Sequence, residues 1–132
     1  MAGNGVNEFS GKTLDQFIKN GVIVRSNTIP ITLVYKEDGV AQPITGFELW
    51  VTISSAIDSS DGSTILLEKQ IPIADATTGL FSGTITDDET FALLLGTTYV
   101  SLKLIDSSGQ SFIIDMAKYK VLDCANPKRD IV

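Results

Sequence analysis

Residues 75–105 read DATTGLFSGTITDDETFALLLGTTYVSLKLI, and the fold turns on this stretch. It divides into a strand, a short helical turn and a second strand. The first strand runs from Leu80 to Ile85. Thr86 has the short hydroxyl side chain of an N-cap, and Glu89 follows at capping-box spacing, where each side chain satisfies the other residue's free backbone N–H. Asp87, Asp88 and Glu89 fall where the helix dipole favours negative charge. Phe91, Leu94 and Leu95 share a helical face. Gly96 is placed to end the turn, because a left-handed C′ position costs glycine little. Beyond Tyr99, Val100, Leu102 and Leu104 alternate with Ser101, Lys103 and Ile105, the period of a strand that buries one face.

Working outward, the same alternation recurs. Ile29, Ile31, Leu33 and Tyr35 share one face of a strand, with Pro30 suited to its start or to an edge because it has no N–H to donate. Glu37-Asp38-Gly39 reads as a turn. Phe47, Leu49, Val51 and Ile53 alternate with Glu48, Trp50 and Thr52. If the first set faces the core, Trp50 faces out and becomes a candidate contact residue, unless a loop or the leader covers it or the strand is bulged. Asp58 to Ser63 is a polar loop without the EF-hand pattern, since an acid is needed where Ile57 stands. Thr64 to Ile73 reads as a strand pair or a strand bent at Pro72. Asp106 to Gln110 is a hairpin loop, and Ser111 to Leu122 is a long strand. Its apolar positions change phase, which predicts a bulge near Met116-Ala117.

Residues 1–28 read as an N-terminal arm rich in glycine and asparagine. Within it, Thr13 to Lys19 predicts a short helix with Leu14, Phe17 and Ile18 as an apolar stripe, stopped by Asn20-Gly21. So short a helix is not stable alone. The stripe must therefore dock, either on an open end of its own domain or on a neighbouring subunit. Val22 to Val24 can add an edge strand. Residues 29–123 form the domain, and residues 124–132 read as a loose polar tail.

With about seven strands, turn signals between them and one helical turn, the fold class is an all-β antiparallel sandwich. A chain of 132 residues supports one such domain, and 43% apolar with 20% charged residues marks it as folded. The net charge of −6 argues against binding phosphate backbones, and Lys128-Arg129 is too small to be a nucleic-acid patch. No apolar run approaches the roughly 20 residues of a membrane span. No secretory signal is visible in residues 1–20. The lone Cys124 allows no intrachain disulfide. With no histidine in the chain, Ser-His-Asp chemistry, Cys/His pairs and His-containing zinc sites are excluded. The acids Asp87, Asp88 and Glu89 are accounted for by capping. The expectation is a protein without catalytic residues, metal or cofactor.

A resemblance enters at Asp75, Gly79, Phe81, Thr86, Glu89, Thr90, Leu93, Gly96, Tyr99, Asp106 and Gly109. In this pattern, supported by Ile31-Thr32-Leu33, Asp38-Gly39 and Ile44-Thr45-Gly46, the chain resembles the immunoglobulin-like N-terminal domain of phage baseplate upper proteins and related prophage structural proteins, over Ile29 to Leu122. Leu94-x-Gly96-x-x-Tyr99 is also similar to the tyrosine corner of immunoglobulin-like sandwiches, in which the phenol bonds back to upstream backbone. The resemblance implies an immunoglobulin-like sandwich that serves as a virion structural protein: a capsid decoration, collar, tail or baseplate component. It implies other virion proteins as partners and a homo-oligomer within the particle, made in the host bacterial cytoplasm. In the baseplate proteins this domain begins a longer chain, and this chain's size fits a free-standing component. Leu14, Phe17, Ile18 and Trp50 are the candidate contact residues. Thr86, Glu89, Gly96 and Tyr99 are structural ones. The alternative is a carbohydrate- or ligand-binding sandwich module, with Trp50, Tyr35 and Tyr119 as the aromatics that could stack on a sugar.

Overall fold

Alternation sorts the side chains of two central strands. β5 (Glu48–Ser54) buries Leu49, Val51 and Ile53, and β9 (Gly96–Ile105) buries Thr98, Val100, Leu102 and Leu104. These strands pair antiparallel, so their apolar rows merge into one surface. The computed structural model describes residues 14–56 and 64–123. The first half of the leader, the loop from Ile57 to Ser63 and the tail with Cys124 lie outside them. Flanking the central pair are β6 (Ile65–Ile71) on one side and β10 (Ser111–Leu122), then β1 (Val22–Val24), on the other. The five-stranded sheet has the order β1-β10-β9-β5-β6. It is antiparallel except for β1, which runs parallel to β10.

A three-stranded sheet faces it, built from β2 (Ile29–Val34), β7 (Ile73–Asp75) and β8 (Leu80–Ile85) in the order β2-β8-β7. Lys36–Glu37 (β3) and Val40–Ala41 (β4) form a separate hairpin. Ile31, Leu33, Phe81 and Ile85 of the small sheet join Leu49, Val51, Ile53, Ile71, Leu102 and Leu104 of the large one in a single core cluster. The all-β sandwich holds, with more short strands than the expected seven. Pro30 lies on the edge strand β2. Pro72 separates β6 from β7, where the chain leaves one sheet for the other. Gly79 takes φ +74°, and a Cβ there would stand 2.5 Å from the Gln42 carbonyl oxygen and 2.8 Å from that of Tyr35. Only glycine fits this crossing without backbone movement.

The short helix α1 (Asp87–Phe91) carries the expected capping box: the Glu89 N–H donates to Thr86 Oγ1 at 3.2 Å, and the Thr86 N–H donates to Glu89 Oε1 at 2.8 Å. Its end differs from expectation. Ala92, not a residue next to Gly96, is the C-cap. The chain then turns so that Leu93 enters the core at 2% exposure, while Leu94 and Leu95 stand out at 63% and 55%. Gly96 instead opens β9 with φ +113°. The bulge in β10 falls between Ile113 and Asp115, earlier than predicted. Phe112, Ile113 and Ile114 are all apolar, so the sequence holds no phase that marks the extra residue.

The leader from Leu14 onward is built into the sandwich. Instead of a regular helix it forms two 3-10 turns, Leu14–Gln16 and Lys19–Gly21, followed by β1. Leu14, Ile18 and Ile23 are at most 3% exposed within the core cluster, and Phe17 packs against it. Two polar contacts fix the leader to β10. The Leu14 N–H donates to Asp115 Oδ2 at 2.9 Å, and the Tyr119 hydroxyl donates to Asp15 Oδ1 at 2.6 Å. At its far end, Thr90 Oγ1 donates to the Asn27 carbonyl, and the Arg25 guanidinium stacks on Phe91 while Nε donates to the Phe91 carbonyl.

Candidate functional site

The outer face of the five-stranded sheet gathers the exposed aromatic and apolar side chains that the alternation turns away from the core. Cross-strand register arranges them in rows. Gln70, Trp50, Lys103 and Ile113 form one; Glu68, Thr52, Ser101 and Met116 the next; Ser54, Tyr99 and Lys118 a third. Ile113 is 58% exposed and Met116 52%, high for residues of their size on a strand. Two shallow hollows indent the face. One, of about 230 Å³, is lined by Glu48, Trp50, Thr52, Glu68, Lys103 and Ile105. The other, of about 200 Å³, includes Tyr99, Ser101, Ile113 and Met116.

Trp50 faces outward as its alternation requires and is half-buried among its neighbours. Its Nε1–H donates to Glu48 Oε1 at 2.8 Å, so the polar tip of the indole is satisfied within the hollow it lines. Tyr99 belongs to the same face. Since Val100, Leu102 and Leu104 point inward, Tyr99 must point out, and it lines the second hollow instead of sealing a corner of the core. The tyrosine-corner reading gives way to this placement.

The other candidates are placed differently. Leu14 and Ile18 are spent inside their own chain, so the docking on a neighbour that the stripe allowed does not use them. Tyr35 and Tyr119 are buried at 5% and 2%, which removes both as sugar-stacking platforms. Tyr35 donates to Glu37 Oε2 at 2.6 Å and packs against Phe47 with ring centroids 5.5 Å apart. Burial, reinforced by Glu37 for Tyr35 and by Asp15 for Tyr119, pushes both phenols well above their ordinary value. Sequence reasoning missed that Tyr99, Ile113 and Met116 lie on the same face as Trp50, around the second hollow. Strand order was the missing signal, because it brings β10 two strands from β5.

Thr86 and Glu89 hold the helix start. Burial pushes the Glu89 carboxyl up, but the Lys69 ammonium at 2.8 Å and the Thr86 N–H outweigh it and hold the carboxyl below its ordinary value. Asp75 and Asp106 are held low chiefly by hydroxyl donors, Thr77 and Ser108 respectively, in their turns. These acids are engaged in turn and cap geometry. Among the described residues no three Asp, Glu or Cys side chains converge as a metal-ligand set, and no helix is long and apolar enough to cross a membrane.

No family model matches the chain, and no curated protein matches it. Solved structures share its general architecture at low identity. The N-terminal domain of phage TP901-1 ORF48 is 13% identical with a TM-score of 0.43, covering 76% of this chain and 81% of that one. CopC from Methylosinus trichosporium OB3b is 12% identical with a TM-score of 0.49, covering 92% and 98%. The PmoD soluble domain from Methylocystis sp. (Rockwell) is 15% identical with a TM-score of 0.46, covering 77% and 78%. Likenesses at these values assign no role to this chain.

Proposed function

We propose that the chain is a non-enzymatic structural component of a bacteriophage virion, joining its particle through the outer face of the five-stranded sheet. The observation that carries the structural role is that face, where Ile113 and Met116 stand exposed around a hollow with Tyr99 and Trp50 lines a second hollow. Exposed apolar groups clustered with aromatics mark contact surfaces. The phage assignment rests on the sequence resemblance. Within that pattern Asp75, Gly79, Thr86, Glu89 and Asp106 are each engaged at a turn or cap of the sandwich. The absence of histidine supports a role without catalysis. The sequence-based expectation is assembly through the N-terminal arm and a sheet face, with the arm's stripe left open between its own domain and a neighbour; because Leu14 and Ile18 serve the core, the reading now rests on the sheet face.

The test is to induce the source strain, purify particles on a density gradient and probe the fractions with an antibody to this chain. The chain is expected to band with particles. Recovery only with unassembled protein, in a lysate that contains particles, would overturn the proposal.

A second reading has one observation in its favour: Trp50 lies in a hollow with Glu48, Glu68 and Lys103, an aromatic platform ringed by hydrogen-bonding groups. It makes the face a glycan site. Binding on a glycan array that is lost in Trp50→Ala would support that reading over the first.

A further inference from the structure

We propose that the outer face of the five-stranded sheet is self-complementary and pairs two copies of this chain about a two-fold axis parallel to its strands. The inference rests on reading this face as an assembly surface and does not depend on the phage role. Its basis is the lateral distribution of charge. Across the face, strand order runs β6, β5, β9, β10, with the three-residue β1 at the edge beyond β10. Among the described residues, the outward-facing acids are Glu68 on β6 and Glu48 on β5, and the outward-facing bases are Lys103 on β9 and Lys118 and Lys120 on β10. One half is thus acidic and the other basic, with Trp50, Tyr99, Ile113 and Met116 among them. The ion pairs Arg25–Asp123 and Lys69–Glu89 lie off this face.

This segregation selects one symmetry. An in-plane two-fold axis perpendicular to the strands would set the acidic half of one copy over the acidic half of the other. An axis along the strands, between β5 and β9, sets β6 over the second copy's β10 and β5 over its β9. Glu68 then meets the neighbourhood of Met116 and Lys118 of the second copy, and Trp50 faces its Lys103. Such a contact is isologous and closes on itself. Among the described residues, a chain of net charge −6 places three lysines and two acids on this face, and matched charges at the contact offset the repulsion between two acidic copies. The four strands that overlap about this axis, at their usual spacing, give a contact of about 20 Å by 20 Å. That is smaller than the ~800 Å² per partner of a standard interface, so a weak pair is expected.

Sedimentation equilibrium on the full chain, from about 1 to about 500 µM, reads a weak self-association. A monomer–dimer equilibrium that weakens as salt is raised is expected. Glu68→Lys and Lys118→Glu should each weaken self-association by about tenfold or more. Mixed together, the two variants should form a heterodimer tighter than either homodimer, because each places its new charge opposite an opposite charge. The double variant should recover pairing. Circular dichroism and thermal melts check that each variant folds. A wild-type chain that stays monomeric throughout, or a dimer indifferent to the swaps and to mixing, would overturn the proposal. So would glycan binding at Trp50 without any self-association. Particle incorporation by a strictly monomeric chain would overturn the pairing while leaving the virion role standing.

Discussion

The leader's row of Leu14, Phe17 and Ile18 and the sheet's row of Trp50, Tyr99, Ile113 and Met116 are alike in size and hydrophobicity, yet the fold puts them to opposite uses. The first closes the chain's own core. The second lies on the outside. The difference is not in the apolar residues, since the second row offers at least as much surface to bury. It is in the polar groups beside them. The leader brings backbone that continues the large sheet as β1, an N–H for Asp115 and an acceptor for the Tyr119 hydroxyl. Its backbone is thereby paired as it is buried, which a segment entering a core requires. The outer row meets no described segment of its own chain that supplies such pairing.

The largest test of that contrast is Leu14→Ala. A fully buried leucine in a closed core should cost about 2–5 kcal/mol on truncation, read from the shift in urea midpoint. Deleting residues 1–27 removes Leu14, Ile18 and Ile23 together with β1 and should leave no cooperative unfolding transition, where a leader docked on a neighbour would leave a folded monomer. If Leu14→Ala moves the midpoint by less than a surface substitution does, the leader is not part of the core and the contrast collapses.

Tyr119→Phe sharpens it next. Loss of the hydroxyl bond to Asp15 should cost about 0.5–1.5 kcal/mol near neutrality. The pH dependence gives a separate signature. The folded-state value of Tyr119 is raised above the ordinary 10.0 by burial and by Asp15. Its contribution is therefore fully present below about pH 10 and is lost as pH rises towards the folded value, because the unfolded chain ionises first. Stability measured from pH 8 upward should fall on the alkaline side. The fall should be shallower in Tyr119→Phe and should persist in part, because Tyr35 is raised in the same direction.

These tests address a choice the sequence could not make. Leu14, Phe17 and Ile18 have the same spacing whether they dock on their own domain or on another. The partner groups Asp115 and Tyr119 are about a hundred residues away and become neighbours only once β10 is in place. The strands themselves were readable because alternation is local, as in Leu49, Val51 and Ile53. The capping box of Thr86 and Glu89 was readable because both halves lie within one turn. The end of α1 was not, since Leu93, Leu94 and Leu95 are identical residues and only the core decides which one enters. The outer face was half legible. Trp50 declared itself by phase, but Met116 and the segregation of Glu68 from Lys118 depend on strand order.

Thr86→Ala supplies a scale between the two rows, because the cap lies in neither. Loss of the Thr86 acceptor should cost about 1 kcal/mol. It should alter neither the alkaline slope of Tyr119 nor self-association. Its reach is on the acid side. Glu89, held below its ordinary value of 4.5, contributes stability above that value, and the contribution is lost as pH falls through the lower folded one. A Thr86→Ala protein, with the reciprocal box opened, should show a weaker acid limb in the same urea series.

The smallest effect on stability is also the one that separates the two rows most clearly. Met116→Ser changes a side chain that is 52% exposed, so its removal should shift the unfolding midpoint by no more than about 0.5 kcal/mol. If the proposed pairing holds, self-association should nonetheless weaken severalfold, because Met116 would then be covered, opposite Glu68 of the second copy. Leu14→Ala should behave in the reverse sense, with a large loss of stability and unchanged pairing of whatever remains folded. Measuring both quantities on both variants gives four numbers that must fall on opposite diagonals. If Met116→Ser costs as much stability as Leu14→Ala, the outer row is covered by the chain itself, and its exposed position in the fold would have to be abandoned.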